Sequence, residues 1–226
     1  MNSSNKRTAL IAGASGLVGG HCLQSLLNSP VYEKVIALSR QPLTLTHEKL
    51  ECLIVDFEQI ESETSHLVCD DVFCCLGTTI KKAGSQTNFR KVDFDYCLGL
   101  AMVGKRGRAE HFLLISAIGA RAKSGIFYSR VKGELEQAIE ELGFGRFSVF
   151  QPSLLAGERK DTRRAEAIGL KLTAKLSSLL VGPLSDYSVI EAKDLGAAMV
   201  SAAQAGVSHE VSGAQRLRYR EIMKYL

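Results

Sequence analysis

The chain lacks most features that mark membrane, secreted, disordered and nucleic-acid-binding proteins. Its formal net charge is only +4, and the one dense basic stretch is residues 159–164, so no nucleic-acid surface is expected. The longest apolar run near the carboxyl end, residues 168–184, is interrupted by two lysines and is too short to span a bilayer. A hydrophobic content of 46% with 23% charged residues indicates a globular protein.

Six cysteines are present, but none forms the C-x-x-C pairs of a zinc site, so no metal is expected. Several lie in apolar runs, where cysteine behaves as a small hydrophobic residue. The polar beginning of the chain, residues 2–7, has no signal-peptide apolar region. These features predict reduced thiols and a cytoplasmic protein with no membrane partner.

Near-continuous apolar runs alternate along the chain with segments of helical periodicity. This alternation is typical of parallel strands that helices cover on both faces. The predicted fold class is α/β, a doubly wound, mostly parallel sheet of the Rossmann type. The predicted strands are residues 8–12, 34–39, 50–55, 71–76, 111–116 and 147–151, and the predicted helices are 17–27, 86–105 and 128–142.

The length of 226 residues favours a single domain, 1–226. From about residue 153 to 226 the pattern loosens, and this part is expected to form a small lobe on the substrate side of the sheet. It is predicted to contain a polar loop at 157–164, a helix at 165–180, a short strand at 188–190, a helix at 193–205 and a terminal helix at 218–226.

A glycine-rich turn joins the first strand to the first helix, with Gly13, Gly16 and Gly19 three residues apart. Such a turn lets a dinucleotide pyrophosphate approach the backbone, and the first helical N–H groups favour its negative charge. The spacing departs from G-x-G-x-x-G, and an ordinary turn is the alternative. The cofactor-binding residues predicted here are Gly13, Ser15, Gly16, Leu17, Val18 and Gly19.

The second strand ends in Ser39-Arg40, with no carboxylate before Glu48. At this position an acidic residue binds the ribose 2′-hydroxyl of NAD, whereas arginine accommodates the 2′-phosphate of NADP. Arginine forms bidentate, charge-assisted bonds to phosphate. The cofactor predicted is therefore NADP; a solvent-facing arginine is the alternative.

Two further strand ends are predicted to meet the cofactor. Asp56-Phe57 follows the third strand, where a carboxylate and an aromatic ring suit adenine, or where the aspartate simply caps the strand. Leu76-Gly77-Thr78-Thr79 closes the fourth strand, where the glycine allows close approach of a ribose and the threonines offer hydroxyls. An ordinary turn is the alternative for this second segment.

Tyr128 and Lys132 are spaced i and i+4, so they share one helix face. An ammonium one turn away favours the phenolate form of a tyrosine, which assists proton exchange at neutral pH. The pair alone is common on amphipathic helices. Ser116 ends the fifth strand, at the edge of the sheet where ligands of such folds bind, and there it can hydrogen-bond a substrate carbonyl. The predicted catalytic residues are Ser116, Tyr128 and Lys132, with Ser124 a weaker substitute for the serine.

Together these residues resemble the short-chain dehydrogenase/reductase superfamily, with Asp56 and the Pro152-Ser153 step adding to the match. Within it the chain is similar to an atypical branch, that of the Tat-interacting tumour-suppressor oxidoreductase. The segments that carry this closer likeness are 76–79, 82–84, 90–96, 128–136 and 147–153.

The resemblance implies NADP(H) binding, with Lys132 on the nicotinamide ribose, Tyr128 as proton donor or acceptor and Ser116 positioning a carbonyl. It also implies that Pro152-Ser153 lies near the carboxamide. Many superfamily members carry a proton-relay asparagine after the fourth strand; here Asp93 stands near that position. Members of the branch often lack a well-defined substrate, so the resemblance supports cofactor binding more strongly than turnover.

Three functions are consistent with this pattern. The leading one is an NADP(H)-dependent oxidoreductase acting on a small carbonyl or alcohol substrate. The alternatives are an NADP(H)-sensing regulatory protein with little or no turnover, and a nucleotide-sugar epimerase, for which the last third is short. A homo-oligomer is left open. The arginines at 159, 163 and 164 are expected in a loop near the site or on a plain surface.

Overall fold

The computed structural model describes residues 6–156, 186–208 and 213–226. Within these ranges seven parallel strands form one sheet. The predicted doubly wound α/β fold is confirmed. The strands are β1 (Arg7–Ala12), β2 (Tyr32–Ser39), β3 (Leu50–Ile54), β4 (Asp71–Cys74), β5 (His111–Ile115), β6 (Arg146–Phe150) and β9 (Gly213–Leu217). Across the sheet they lie in the order β3-β2-β1-β4-β5-β6-β9.

Both faces of the sheet are buried at its centre, which is why the central strands read as continuous apolar runs. Along β1, Ala9 and Ile11 belong to one hydrophobic core and Leu10 and Ala12 to the other. The first core packs α1 (Leu17–Asn28) and α7 (Ala192–Ser208) against the sheet, and the second packs α5 (Tyr96–Arg106) and α6 (Phe127–Glu141).

The predicted helix over 86–105 is interrupted in its middle. The structure has α4 (Gln86–Arg90), a π-helical turn (Lys91–Asp95) and then α5. A π-helical turn inserts one extra residue per turn and is frequent at functional sites. Asp93 lies in this turn and is buried, which the apolar periodicity alone did not predict. The remaining short helices before it are α2 (Ile60–Glu63) and α3 (Ile80–Ala83).

The carboxyl-terminal part divides between a small sheet and the main one. β7 (Leu154–Ala156) pairs in parallel with β8 (Val189–Glu191), while β9 extends the main sheet beside β6. Residues 213–217 were assigned to the lobe by sequence, because the polar Gln215 and Arg216 hide an edge strand. The terminal helix is shorter than predicted: α8 (Tyr219–Ile222) is followed by a 3₁₀ turn (Met223–Tyr225). The predicted loop 157–164 and helix 165–180 lie outside the described residues.

Candidate functional site

The site lies at the carboxyl edge of the sheet, where the strand order reverses between β1 and β4. Crevices at such a switch point are where open α/β sheets bind ligands. Two adjoining cavities, of about 480 and 690 Å³, share Ser15, Gly16 and residues 75–78, and so form one cleft.

Two positions in and after the turn that follows β1 have no space for a Cβ atom and therefore require glycine. Gly13 has φ +89°, and a Cβ there would clash with the carbonyl of Cys75. A Cβ at Gly19 would clash with the carbonyl of Gly13, so Gly19 sets how closely α1 approaches the turn. The α1 N-terminus, at Gly16, receives no side-chain cap, and its first turn has no acidic residue. These features fit a pyrophosphate, which would accept from the exposed N–H groups.

One end of the cleft combines a cation with an aromatic pair. Arg40 is exposed directly after β2, and no ion pair to it is found within the described ranges. Phe57 is buried against Tyr96, with ring centroids 5.6 Å apart, and both rings line the cleft beside Ser39. This arrangement fits an adenine, whose flat ring can pack against an aromatic face, and a nearby anionic group, which can pair with the guanidinium.

The other end holds the three predicted catalytic residues, since Ser116, Tyr128 and Lys132 line the second cavity together. Tyr128 is half-buried, and its ring packs against Phe89, with centroids 5.5 Å apart. Leu17, Val18, Thr79 and Asp93 contribute to the same wall.

Lys132 forms a buried ion pair with the aspartate of the π-helical turn. Its Nζ lies 2.8 Å from Asp93 Oδ1, and the two side chains are 4% and 1% exposed. Burial by itself lowers the pKa of the ammonium, but the charge of Asp93, with smaller effects of Tyr128 and Cys97, raises the pKa above its ordinary value. Asp93 Oδ2 also accepts from the Thr78 N–H at 2.8 Å. Asp93 therefore ties α6 to the turn after β4.

Ser116 is engaged by a second buried carboxylate. Its hydroxyl donates to Glu136 Oε1 at 2.5 Å, and Glu136 also accepts from Gln151 and Arg216. The sequence reasoning missed this cluster, although Glu136 follows Lys132 by four residues on the same helix face.

Most predicted cofactor residues meet in this cleft, and a few are placed differently. Asp56 is exposed and its carboxylate accepts from the Glu58 N–H at 2.9 Å, capping the turn after β3. Ser153 donates to the Ser188 carbonyl at 2.7 Å, and the Pro152 carbonyl accepts from Ile118. Neither Asp56 nor the Pro152-Ser153 step lines either of the two cavities. The sequence reasoning also missed several residues that do line them, including His21, Leu38, Asn88, Val92, Tyr96 and Leu155.

None of the helices described has both the length and the apolar character needed to cross a membrane. No group of three or more potential metal ligands occurs in the described part of the chain.

Comparison with known proteins finds the same fold in other structures. No family model matches it. Solved structures of similar fold include the Lactococcus lactis oxidoreductase ylbE (TM-score 0.65, 16% identity, 97% of this chain and 96% of that one). They also include the Bordetella bronchiseptica enzyme WbmH in complex with NAD⁺ (TM-score 0.66, 16% identity, 94% and 75%). These likenesses define the fold class, a Rossmann-type α/β protein.

Sequence relatives narrow this class. The chain is 38% identical to rat protein HTATIP2 over 174 residues, which cover 75% of this chain and 72% of that protein. It is 32% identical to the mitochondrial protein fmp52 of Emericella nidulans over 217 residues, 92% of this chain and 93% of that one. The chain therefore belongs to the family of HTATIP2 and FMP52 proteins, an atypical branch of the short-chain dehydrogenase/reductase superfamily.

These relatives correct one prediction. A purely cytoplasmic location, inferred from the polar beginning and the cysteine usage, is contradicted by fungal relatives named as mitochondrial. The inference failed because reduced thiols and a polar start do not distinguish the cytoplasm from the inside of an organelle.

Proposed function

We propose that the protein is an NADP(H)-dependent oxidoreductase that reduces a small carbonyl compound or oxidises the corresponding alcohol. The observation that carries this proposal is the single cleft at the sheet edge, with Arg40 at one end and Tyr128 and Lys132 at the other. The glycine turn lies between them, where the pyrophosphate of an extended dinucleotide would sit.

The choice of NADP over NAD rests on Arg40. It is a guanidinium without an ion pair among the described residues, directly after β2, and no carboxylate follows until Glu48. A 2′-phosphate would give this guanidinium a charge-assisted partner. A ribose 2′-hydroxyl could accept a hydrogen bond from it but carries no negative charge to pair with it.

The bound nicotinamide would supply the hydride for the carbonyl carbon. The chain supplies the proton: the Tyr128 hydroxyl gives it to the carbonyl oxygen, so that C=O becomes CH–OH. Lys132 stays protonated beside Asp93, and its positive charge stabilises the phenolate that remains on Tyr128. In the oxidative direction the phenolate takes the proton of the alcohol.

Cofactor choice is tested by thermal unfolding with NADPH, NADP⁺, NADH and NAD⁺. A ligand at 100 times its Kd stabilises the folded state by about 2.7 kcal/mol. We expect NADPH and NADP⁺ to stabilise more than the forms without 2′-phosphate. Arg40→Ala should weaken NADPH binding about 10- to 100-fold, as expected for a bond to a charged group, and leave NADH binding unchanged. Lys6→Ala is the matched control, because it removes an exposed cation at the opposite edge of the sheet. An NADPH preference that survives Arg40→Ala refutes the assignment.

Turnover is tested by a panel of carbonyl compounds with NADPH. Tyr128→Phe should reduce kcat at least 100-fold while NADPH still binds, because only the proton donor is lost. If NADPH binds tightly and no carbonyl is reduced, the regulatory alternative replaces the enzymatic one.

A further inference from the structure

Glu136 extends the catalytic face of α6 by one more turn. Tyr128, Lys132 and Glu136 are spaced i, i+4 and i+8, so all three project from the same side of the helix. Glu136 is only 3% exposed. A carboxylate this deeply buried needs partners for its charge, and every partner it has among the described residues is a donor.

Three side chains donate to Glu136. Ser116 Oγ lies 2.5 Å from Oε1, and Gln151 Nε2 lies 2.9 Å from Oε1 and 3.1 Å from Oε2. Arg216 Nε, from β9, lies 3.2 Å from Oε2. A carboxylate accepts and does not donate, so the only proton of the Ser116 hydroxyl is committed to Glu136.

This hydrogen bond determines whether the Ser116 hydroxyl can donate to, or only accept from, a ligand in the cleft. A serine hydroxyl has one proton and two lone pairs. With the proton on the Glu136 side, Ser116 presents only acceptor sites to a ligand, although it lines the same cavity as Tyr128. A carbonyl oxygen is itself an acceptor and cannot bond to such a serine. Tyr128 alone is left to donate to it, and Ser116 does not position the carbonyl in the way that the family resemblance implies.

We propose that Glu136 is a positioning residue that makes Ser116 a hydrogen-bond acceptor, so that the site favours carbonyl substrates carrying a neighbouring hydroxyl. The carbonyl oxygen of such a substrate accepts from Tyr128, while its hydroxyl donates to Ser116. α-Hydroxyketones are the simplest members of this class. The inference rests on the proposed function, since it concerns the substrate of the same site.

The first experiment compares hydroxyacetone with acetone, and 1-hydroxy-2-butanone with 2-butanone, as substrates with NADPH. The Ser116→Ala variant reports the intrinsic difference in reactivity within each pair. Relative to that variant, the wild type should favour the hydroxylated ketone by a further factor of about 2 to 12 in kcat/KM, the worth of one neutral hydrogen bond. Equal ratios in the wild type and Ser116→Ala overturn the proposal.

The second experiment uses Glu136→Gln to reverse the role of the serine. The amide oxygen can replace Oε2 and accept from Arg216 and Gln151, while the amide N–H replaces Oε1 and donates to Ser116. The Ser116 proton is then free for a carbonyl. We expect kcat/KM for the plain ketones to rise and the hydroxyketone preference to disappear, with both effects lost in Glu136→Gln/Ser116→Ala. If the role of Glu136 were merely structural, Glu136→Gln would lower kcat/KM for the plain ketone and the hydroxyketone together, and that result overturns the proposal.

Glu140→Gln is the matched control. Glu140 also binds Arg216, at 2.7 Å, but it is exposed on the outer side and no contact to Ser116 is found for it. In Glu140→Gln, the ratio of kcat/KM for the hydroxyketone to that for the plain ketone should equal the wild-type ratio. If Glu136→Gln does not fold, as judged by its thermal transition, the comparison of wild type with Ser116→Ala decides alone.

Measurements of ketone binding distinguish a failure of this inference from a failure of the proposed function. The two ketones of each pair are titrated into the protein loaded with NADP⁺. A Ser116-dependent preference for the hydroxyketone without any turnover supports the acceptor role and refutes the enzymatic proposal. Turnover with equal binding and equal ratios in all variants refutes the acceptor role alone. Binding of neither ketone, in protein that has bound NADP⁺, overturns the inference.

Discussion

Removal of Asp93 should destabilise the protein strongly, because it leaves the Lys132 ammonium buried without its partner. The two side chains are 4% and 1% exposed, so water replaces the lost carboxylate only poorly. Breaking a buried pair by deleting one member costs about 3–5 kcal/mol. We therefore expect Asp93→Ala to lower the free energy of unfolding by that amount, measured by urea denaturation at pH 7.

The pH dependence of this loss gives a sharper test. In the wild type, Asp93 keeps the pKa of Lys132 above its ordinary value despite burial. Without Asp93, burial is left as the main influence and should lower that pKa below the value in the unfolded chain. The unfolded state then binds more protons than the folded state, so the stability of Asp93→Ala should rise with pH. The deficit relative to the wild type should therefore shrink between pH 7 and pH 10.

Two further variants, Asp95→Ala and Asp93→Asn, test whether the loss of stability comes from the ion pair. Asp95→Ala removes an exposed carboxylate two residues away and should change stability by no more than about 0.5 kcal/mol. Asp93→Asn keeps an acceptor for the Thr78 N–H but not the charge, so it should fall between the wild type and the alanine variant. An Asp93→Ala deficit below 1 kcal/mol, or one that grows from pH 7 to pH 10, would show that the ion pair does not stabilise Lys132 as argued.

Two further predictions concern the opposite edge of the sheet and the glycine turn. Burial, with Arg146 and Arg7 nearby, lowers the pKa of His111 to about 3, so the folded protein keeps it neutral. As pH falls from 6.5 to 4.5 the unfolded chain takes up a proton, and the wild type should lose roughly 2–3 kcal/mol more than His111→Gln in urea denaturation; parallel curves refute this. Gly13→Ala should weaken NADPH binding and lower Tm, because its Cβ would clash with the Cys75 carbonyl at φ +89°. Gly143→Ala has a similar φ of +66° but open space, so it should lower Tm less and leave NADPH affinity unchanged; equal effects of the two would refute the clash.

Much of the fold was predictable because it depends on local patterning. The buried strands are apolar on both faces, and the helices carry apolar residues at helical spacing, so six of the seven strands of the main sheet were found with small errors at their ends. β9 was missed because Gln215 and Arg216 give it no apolar run. The π-helical turn was missed because one inserted residue changes the apolar periodicity only slightly over a pattern as long as 86–105.

The candidate site likewise has features that the sequence determines and features that only the tertiary structure decides. The glycine turn, Arg40 and the Tyr128–Lys132 pair are local motifs, and the sequence alone determined them together with the edge of the sheet at which they lie. Only the tertiary structure decided how these groups are partnered, because their partners come from distant elements. Asp93 reaches Lys132 from a π-helical turn 39 residues earlier in the chain (132 − 93), and Arg216 reaches Glu136 from a strand 80 residues later. Burial then makes these contacts strong, and burial is a property of the packed molecule and not of any segment.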